Sequence, residues 1–262
     1  MPLPERWFRT RPDSSVLDRP RLLARSLIDV SELDDTIAFY EWLLGIPADL
    51  RMPIPDFGGL ELAAMGNLLL IASARPFTPI QRRTAYSLIV PSLSRQLSAL
   101  QDTGTEVLEP TEDILPGSRA RVRYPDGSVA ELVEHRPQPG EQPRPPADPG
   151  QPTGIRLYAR RVVPDAEFDS AVALYKTVLC AGVEKETTRR GARLALVGNL
   201  LLVGSDELSA DPELVGFALL TSTGGSGVVR AMENGDATSS TVDGRSAVEL
   251  ANGVRAEVWE LS

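Results

Sequence analysis

The sequence predicts an α+β fold in which four βαβββ units form two similar halves. Three segment pairs recur in the same order: AFYEWLLGI (38–46) with ALYKTVLCAGV (173–183), GNLLLIAS (66–73) with GNLLLVGS (198–205), and DGSVAELVE (126–134) with NGVRAEVWE (252–260). Ordered repeats of this kind indicate a duplicated domain. Residues 136–153, which contain seven prolines, lie between the two halves and have the composition of a semi-rigid linker.

Each half begins with a strand followed by a helix. The apolar runs LLARSLIDV (22–30) and GIRLYARRV (154–162) are typical of strands. After each run, apolar residues recur at spacings of four, three and four, which places them on one helical stripe. The two stripes are Leu33, Ile37, Tyr40 and Leu44, and Phe168, Val172, Tyr175 and Leu179. The Gly-Asn pairs at 66–67 and 198–199 then predict β-hairpins.

A second, weaker unit follows within each half. TAYSLIVP (84–91) predicts a strand, and Leu93, Leu97 and Leu100 predict a helix that ends at Gly104. RARVRY (119–124) and SVAELVE (128–134) predict a last hairpin. The corresponding helix of the second half falls on residues 222–235, where the first turn is rich in glycine and the helical signal is poor.

These patterns divide the chain into four parts. Residues 1–20 are predicted to be a flexible N-terminal arm, 21–135 the first domain, 136–153 the linker and 154–262 the second domain. The joined halves are expected to form an intramolecular pseudo-dimer, because covalent linkage raises the effective concentration of one half for the other. Further oligomerisation is left open.

Composition excludes several classes of function. A net charge of −9 argues against nucleic-acid binding, which requires a basic surface. No apolar run approaches the roughly 20 residues of a membrane-spanning helix, so no membrane partner is expected. The single cysteine, Cys180, excludes a disulfide framework and is expected to pack at a helix end. A cytoplasmic location is the default expectation.

Two motifs carry a resemblance to a known family. VSELDDTIAFYEWLLGI (30–46) and YPDGSVAELVEH (124–135), with weaker copies at 163–183 and 252–261, resemble the vicinal-oxygen-chelate superfamily. Its members include glyoxalase I, extradiol dioxygenases, and fosfomycin- and bleomycin-resistance proteins. The resemblance implies two tandem glyoxalase-like half-barrel domains, each able to hold a ligand against its concave sheet.

The resemblance also identifies where metal ligands would stand. Metal-dependent members draw up to four His, Glu or Gln ligands from four strands of a domain. Those positions fall on Arg25, Leu70, Ala85 or its neighbour, and Glu131 in the first half, and on about Tyr158, Leu202, Gly216 and Glu257 in the second. Only the two glutamates supply a suitable donor. We therefore expect no metal and no cofactor, and glyoxalase or extradiol chemistry is disfavoured. The only histidine, His135, is expected to be solvated or to play a supporting role.

The candidate ligand-binding residues are Arg25, Glu131, Tyr158, Arg160, Glu257 and Trp259. Arg25 and Glu131 would form an ion pair that either orients a polar ligand group or is purely structural. Tyr158, with Arg160 on the same strand face, would donate a hydrogen bond or fill space. Trp259 would stack on a planar ligand or pack against the first domain.

The predicted function is that of a metal-free small-molecule-binding protein of the bleomycin-resistance type. Its ligand would be a small organic molecule, with planar and cationic compounds as candidates. One alternative is a metal-independent isomerase, cyclase or lyase in which Glu131 or Glu257, with a pKa raised by burial, acts as general base. Another is a regulatory or interaction module with a vestigial pocket.

Overall fold

The computed structural model describes residues 13–54, 59–114, 117–137, 140, 150–209, 215–221, 239–242 and 245–260. Within them the first half forms one mixed sheet of eight strands in the order β2-β3-β4-β1-β5-β8-β7-β6. Its strands are β1 (Arg21–Asp29), β2 (Leu50–Ile54), β3 (Leu60–Met65), β4 (Leu68–Ser73), β5 (Thr84–Ile89), β6 (Glu106–Ile114), β7 (Gly117–Arg123) and β8 (Val129–His135). Its helices are α1 (Leu33–Leu44), α2 (Pro79–Arg83) and α3 (Leu93–Leu100).

The second half forms another mixed sheet with the corresponding order, β10-β11-β12-β9-β13-β16-β15-β14. Its strands are β9 (Ile155–Val163), β10 (Val183–Arg189), β11 (Ala192–Val197), β12 (Leu200–Gly204), β13 (Val215–Thr221), β14 (Ser239–Val242), β15 (Arg245–Glu249) and β16 (Arg255–Glu260). Its helices are α4 (Phe168–Leu179) and the short α5 (Asp206–Ser209). The predicted helix at 222–235 lies outside the described residues.

The repeated strand order confirms the predicted fold class. In each sheet the first strands of the two units, β1 with β5 and β9 with β13, are antiparallel neighbours at the centre. Each of these strands also pairs in parallel with the last strand of its own unit. The sequence patterns had located many of these elements, but they assigned no segment to β2, β6, β10, β13, β14 or β15; of these, β6 and β10 are largely polar and exposed.

Each sheet separates two apolar layers. On β1, Leu22, Ala24 and Ile28 point into the main core, whereas Leu23 and Leu27 contribute to a smaller cluster on the opposite face. This alternation follows from the two-residue period of a strand. The main core also contains the predicted helix residues, among them Tyr40 of α1 and Tyr175 of α4, so it continues from one half into the other.

A buried polar group joins the two halves. Asp126, in the turn before β8, accepts a hydrogen bond from Arg161 Nε at 3.0 Å and another from the Tyr175 hydroxyl at 2.8 Å. The Asp126 and Arg161 side chains are each only 7% exposed. Ser128 lies 3.0 Å from the same tyrosine hydroxyl. The carboxylate of the first half therefore neutralises a buried arginine of the second.

The segment that precedes β9 rests on the end of α1. The backbone and side chain of Thr153 donate to the carbonyl oxygens of Leu44 and Leu43, respectively. Gly45, which ends the helix with a φ of 68°, allows this contact because a Cβ there would lie 2.0 Å from the Gln151 carbonyl oxygen. At least this end of the predicted linker is therefore held against the first half.

Cys180 is exposed, so the expected packing role is wrong; it ends α4 with a left-handed φ of 48°, which turns it out of the helical stripe. In the predicted N-terminal arm, Ser14 is buried, and its hydroxyl accepts a hydrogen bond from the His135 backbone at 3.0 Å. Residues 1–12 of that arm lie outside the described part of the chain.

Candidate functional site

The concave face of the first sheet encloses a cavity of about 110 Å³. Its walls are mostly aliphatic and come from seven of the eight strands: Leu23, Leu50, Ile54, Leu60, Leu62, Leu69, Ile71, Ile89, Ile114 and Val133. The polar and charged side chains of the lining are Arg25, Gln81, Ser87, Arg119, Arg121, Glu131 and His135. Arg25, Arg119 and Arg121 pair with Glu131, and Ser87 lies beside it on the next strand, so these five form a polar pole. An apolar chamber with one polar pole is the usual arrangement of a site for a small organic molecule.

Glu131 occupies the centre of the polar pole. One of its carboxylate oxygens accepts hydrogen bonds from Arg119 Nη1 and Arg121 Nη2, both at 3.0 Å. The other oxygen lies 3.6 Å from Arg25 Nη1, an ion-pair distance that is too long for a hydrogen bond. The structure thus brings Arg25 and Glu131 together, with two further arginines that were not among the predicted site residues.

Strand register explains this grouping. Glu131 of β8 is directly opposite Arg121 of β7 on one side and Ser87 of β5 on the other. Ser87 is in turn opposite Leu23 of β1, two residues before Arg25 on the same face. The alternating arginines of RARVR place Arg119 and Arg121 on one face of β7. That alternation, read together with Glu131, could have identified them.

Two acidic residues of β6 complete the charge balance behind the pole. Glu109 lies 2.6 Å from Arg121 Nη1 and 3.5 Å from Arg119 Nη2, and Glu112 is hydrogen-bonded to Arg119 Nε. Neither glutamate lines the cavity. Arg119 and Arg121 therefore pair with carboxylates of both β6 and β8. Arg25, in contrast, pairs only with Glu131 among the described residues.

The surroundings of Glu131 also determine its protonation state. Burial raises the pKa of this carboxyl, but the charges of Arg25, Arg121 and Arg119 lower it further, and the net pKa is below the ordinary value. A general base needs a pKa near the working pH, so this environment disfavours Glu131 in that role. The expectation that burial would raise the pKa overlooked the arginines of β7.

Register corrects the predicted metal-ligand positions of the first half. Arg25 pairs with Leu69 of β4, and Leu69 faces the cavity, whereas Leu70 belongs to the main core. A one-residue shift along a strand moves a side chain to the other face, which is why Leu70 is wrong. On β5 the residue beside Glu131 is Ser87 rather than Ala85. The facing quartet is therefore Arg25, Leu69, Ser87 and Glu131.

The same rule corrects the second half. Glu257 of β16 pairs with Ala218 of β13, Ala218 pairs with Tyr158 of β9, and Arg160 pairs with Leu201 of β12. The facing quartet is therefore Arg160, Leu201, Ala218 and Glu257, and Arg160 rather than Tyr158 corresponds to Arg25. Leu202 lies in the main core. Gly216 stands opposite Arg160, where a Cβ would lie 3.2 Å from the Arg160 guanidinium.

Arg160 and Glu257 form a hydrogen-bonded ion pair, and Trp259 Nε1 donates to the same carboxylate at 3.0 Å. Tyr158 and Trp259 are about 95% buried in an apolar cluster formed by second-half residues. The alternative that Trp259 packs against the first domain is therefore wrong. By register, Tyr158 and Trp259 correspond to Leu23 and Val133, so two aromatic rings occupy the positions of two cavity-lining aliphatic residues.

The donor chemistry of the first pole does not fit a divalent metal. Among the described residues there is no group of three or more His, Cys, Asp or Glu side chains suited to a metal ion. The glutamate of the first quartet is surrounded by three guanidinium groups, which repel a cation. His135 lines the cavity and is buried, so of its two expected roles the solvated one is wrong; its backbone N–H donates to the Ser14 hydroxyl at the end of β8.

No helix in the described part of the chain is long and apolar enough to cross a membrane.

No protein-family model matches the sequence, and no curated protein matches it. Among solved structures, an uncharacterized protein from Methanosarcina mazei is 34% identical over 44% of this chain and 92% of its own, with a TM-score of 0.40. A mutant of 4-hydroxymandelate synthase from Streptomyces coelicolor is 15% identical and covers 91% of each chain, with a TM-score of 0.54.

A third solved structure, 2,2′,3-trihydroxybiphenyl 1,2-dioxygenase from Sphingomonas wittichii, is 14% identical over 91% of this chain and 89% of its own, with a TM-score of 0.54. This match and the synthase both extend over nearly the whole chain. The chain therefore shares its two-domain, glyoxalase-like fold with these two solved structures.

Proposed function

We propose that the protein binds a small organic molecule in the cavity of the first half. The observation that supports this most is the combination of aliphatic walls with a single polar pole on the concave face of the sheet. Transfer of apolar ligand surface from water into such a cavity favours binding, while the polar pole fixes the orientation of the ligand. A bleomycin-resistance-type role, in which the protein holds its ligand unchanged, needs no more than this.

We further propose that binding does not depend on a metal. The first quartet offers a guanidinium, an aliphatic side chain, a hydroxyl and a carboxylate already shared by three arginines. A metal would have to displace those arginines from Glu131 and would gain few other ligands. Treatment with a strong chelator is therefore expected to leave ligand affinity unchanged, and restoration of binding only by an added divalent metal would contradict this proposal.

The binding proposal is tested by filling the cavity. Leu62 of β3 lines the cavity and is only partly buried, so Leu62→Trp places a larger side chain there at modest cost. The neutral fluorescent probe N-phenyl-1-naphthylamine is expected to bind the wild-type protein and to lose about tenfold or more in affinity with this variant. Val107→Trp is the matched control, because Val107 is 50% exposed on β6 and does not line the cavity.

Equal probe affinity in the two tryptophan variants would overturn the assignment of the site, provided that both melt at similar temperatures. If the probe does not bind the folded wild-type protein, the proposed function is wrong. Thermal unfolding and circular dichroism of each variant establish that the fold is retained.

An enzyme is the second candidate, because two of the structural neighbours are named as a synthase and a dioxygenase. In this chain the groups suited to chemistry are Arg25 and Arg121, which would stabilise negative charge developing on a bound molecule. Mass spectrometry of a bound compound after prolonged incubation separates the two candidates. Recovery of the unchanged compound supports binding, whereas recovery of a product that the Arg25→Met variant does not form supports catalysis.

A further inference from the structure

The Arg25 side chain is buried in the cavity lining with unused hydrogen-bonding capacity. It is only 4% exposed, and its Nε and Nη1 have no hydrogen-bond partner among the described residues. The nearest carboxylate oxygen, on Glu131, is 3.6 Å from Nη1. A buried charged donor without a partner is costly, so a native protein that retains one generally supplies the missing acceptor from elsewhere.

Ser87 repeats this pattern on the neighbouring strand. Its Oγ is buried and also has no hydrogen-bond partner within the described part of the structure, and the residue lines the same cavity. Arg121 Nε is a third such atom in the lining. All three side chains offer hydrogen-bond donors, and two of them are cationic. The missing ligand group is therefore an acceptor, and the charges favour an acceptor that carries a negative charge.

Local charge supports the same conclusion. The cavity is lined by Arg25, Arg119 and Arg121 but by a single carboxylate, Glu131. Glu109 and Glu112 offset the charges of Arg119 and Arg121 from the β6 side, where they do not line the cavity. Arg25 has no such second carboxylate among the described residues. A cationic ligand head would meet the guanidinium groups first and would be repelled.

We propose that the ligand is a monocarboxylic acid with a compact apolar body, whose carboxylate accepts hydrogen bonds from Arg25 and Ser87. This inference rests on the proposed function and specifies its ligand. A carboxylate matches the planar, forked donor geometry of a guanidinium. The aliphatic walls bury the rest of the molecule, and their low polarity favours a head with one charge over a head with two.

The second half indicates that each chain holds one such molecule. There Ala218 stands in place of Ser87, and Ala247 pairs with Glu257 as Arg121 pairs with Glu131. Arg160 already has a hydrogen bond to Glu257, and Tyr158 and Trp259 occupy the face. The second half thus lacks counterparts of the Ser87 hydroxyl and the Arg121 guanidinium, and these two groups distinguish the proposed ligand site from the corresponding positions of the second sheet.

The test compares three probes with the same chain length and different heads: octanoate, octanamide and octylamine. Isothermal titration calorimetry at pH 7 is expected to show one octanoate per chain, bound about tenfold or more tightly than octanamide, the effect of about one charge-assisted hydrogen bond. Octylamine is expected to bind no better than octanamide. Arg25→Met should lower octanoate affinity to the octanamide level while octanamide affinity changes by less than about threefold.

Two further variants keep the result interpretable. Arg123→Met removes an arginine from the same strand as Arg121, but one that is 47% exposed and outside the cavity, so octanoate affinity should not change. Arg25→Lys keeps the charge and loses the fork, so it should retain a preference for octanoate over octanamide even if Arg25→Met does not fold. Loss of that preference in the lysine variant would contradict an electrostatic role for position 25.

The outcomes separate this inference from the proposed function. Equal affinities for octanoate and octanamide, or tighter binding of octylamine, would overturn the carboxylate assignment and leave small-molecule binding intact. Failure of all three compounds and of the neutral fluorescent probe would overturn both. Octanoate binding that Arg25→Met does not weaken would place the carboxylate elsewhere and would also overturn the assignment.

Discussion

At the scale of single residues, Glu131 is kept ionised by its neighbours. Burial alone would favour the protonated acid, but three arginines hold the pKa of this carboxyl below its ordinary value. Removing one partner of a buried ion pair is costly because the remaining charges stay buried without compensation. The residue therefore contributes to stability as well as to the shape of the polar pole.

Glu131→Gln is expected to lower the free energy of unfolding by about 3 kcal/mol at pH 7, because three guanidinium groups lose their shared carboxylate. The folded-state pKa lies below the unfolded value of about 4.5, so this stabilisation is complete above that pH. It is lost as pH falls through the folded-state pKa. Urea unfolding of both proteins from pH 7 to pH 3 measures the difference.

The difference in the free energy of unfolding between the wild-type protein and Glu131→Gln should decrease towards low pH. Glu106→Gln is the control, since Glu106 forms an exposed ion pair with Arg123 that contributes little. A difference in unfolding free energy that stays constant with pH, or that is no larger than the one for Glu106→Gln, would contradict the stabilising role of the arginines around Glu131.

At the scale of elements, the two sheets share one strand order but carry side chains of different size at corresponding positions. The last strand of each half carries a glutamate at the same register position, paired with an arginine from the first strand. Two positions next to this pair differ in size: Leu23 and Val133 in the first half correspond to Tyr158 and Trp259 in the second. Among the described residues, the buried rings of Tyr158 and Trp259 therefore occupy space that the smaller side chains of the first sheet leave to the cavity.

The double variant Tyr158→Leu, Trp259→Val is expected to open a cavity on the second sheet. It should lower the free energy of unfolding by about 3 to 5 kcal/mol, the range for large-to-small changes in a core. It should also bind a second molecule of N-phenyl-1-naphthylamine, which fluorescence titration would detect. Trp42→Val is the control, because Trp42 is 48% exposed on α1. A stable double variant with unchanged probe stoichiometry would refute this explanation.

Much of this element plan could be predicted from the sequence, because it depends on periodicity and repetition. The helical stripes, the Gly-Asn hairpins and the final strands agree with the structure. Positions facing the cavity were less predictable, since a one-residue error in register selected Leu70 instead of Leu69. The partners of Glu131 on β7 were missed, although the predicted hairpin of RARVRY with SVAELVE and the alternation of its arginines would have placed Arg119 and Arg121 on the face of Glu131.

At the scale of the whole molecule, the halves share a core and a buried charge pair. Tyr86 and Tyr124 of the first half contact the ring of Tyr175 in the second, with centroid separations of 6.4 and 5.9 Å. Asp126 adds a polar contact to this apolar one through Arg161 and Tyr175. The intramolecular pseudo-dimer remains a proposal, and these contacts are what support it.

Asp126→Ala is expected to lower the free energy of unfolding by about 3 kcal/mol, because Arg161 would remain buried without its carboxylate. Since this pair joins the halves, the variant should also separate one urea transition into two, read by circular dichroism and by the fluorescence of Trp42 and Trp259, one in each half. Asp113→Ala, an exposed aspartate of β6, should change stability by less than about 0.5 kcal/mol. Equal effects of the two changes would argue against coupling through Asp126.

Strand β6 has features that oppose the association of one copy of the protein with another. It is the outermost strand at one side of the first sheet, and an unpaired edge of this kind can recruit a strand from another molecule. Its exposed residues include Glu106, Pro110, Glu112 and Asp113. Like charges repel a second copy of the same edge, and proline cannot donate to an added strand. Glu112, which accepts a hydrogen bond from Arg119 beside the cavity, thus also disfavours edge-to-edge aggregation.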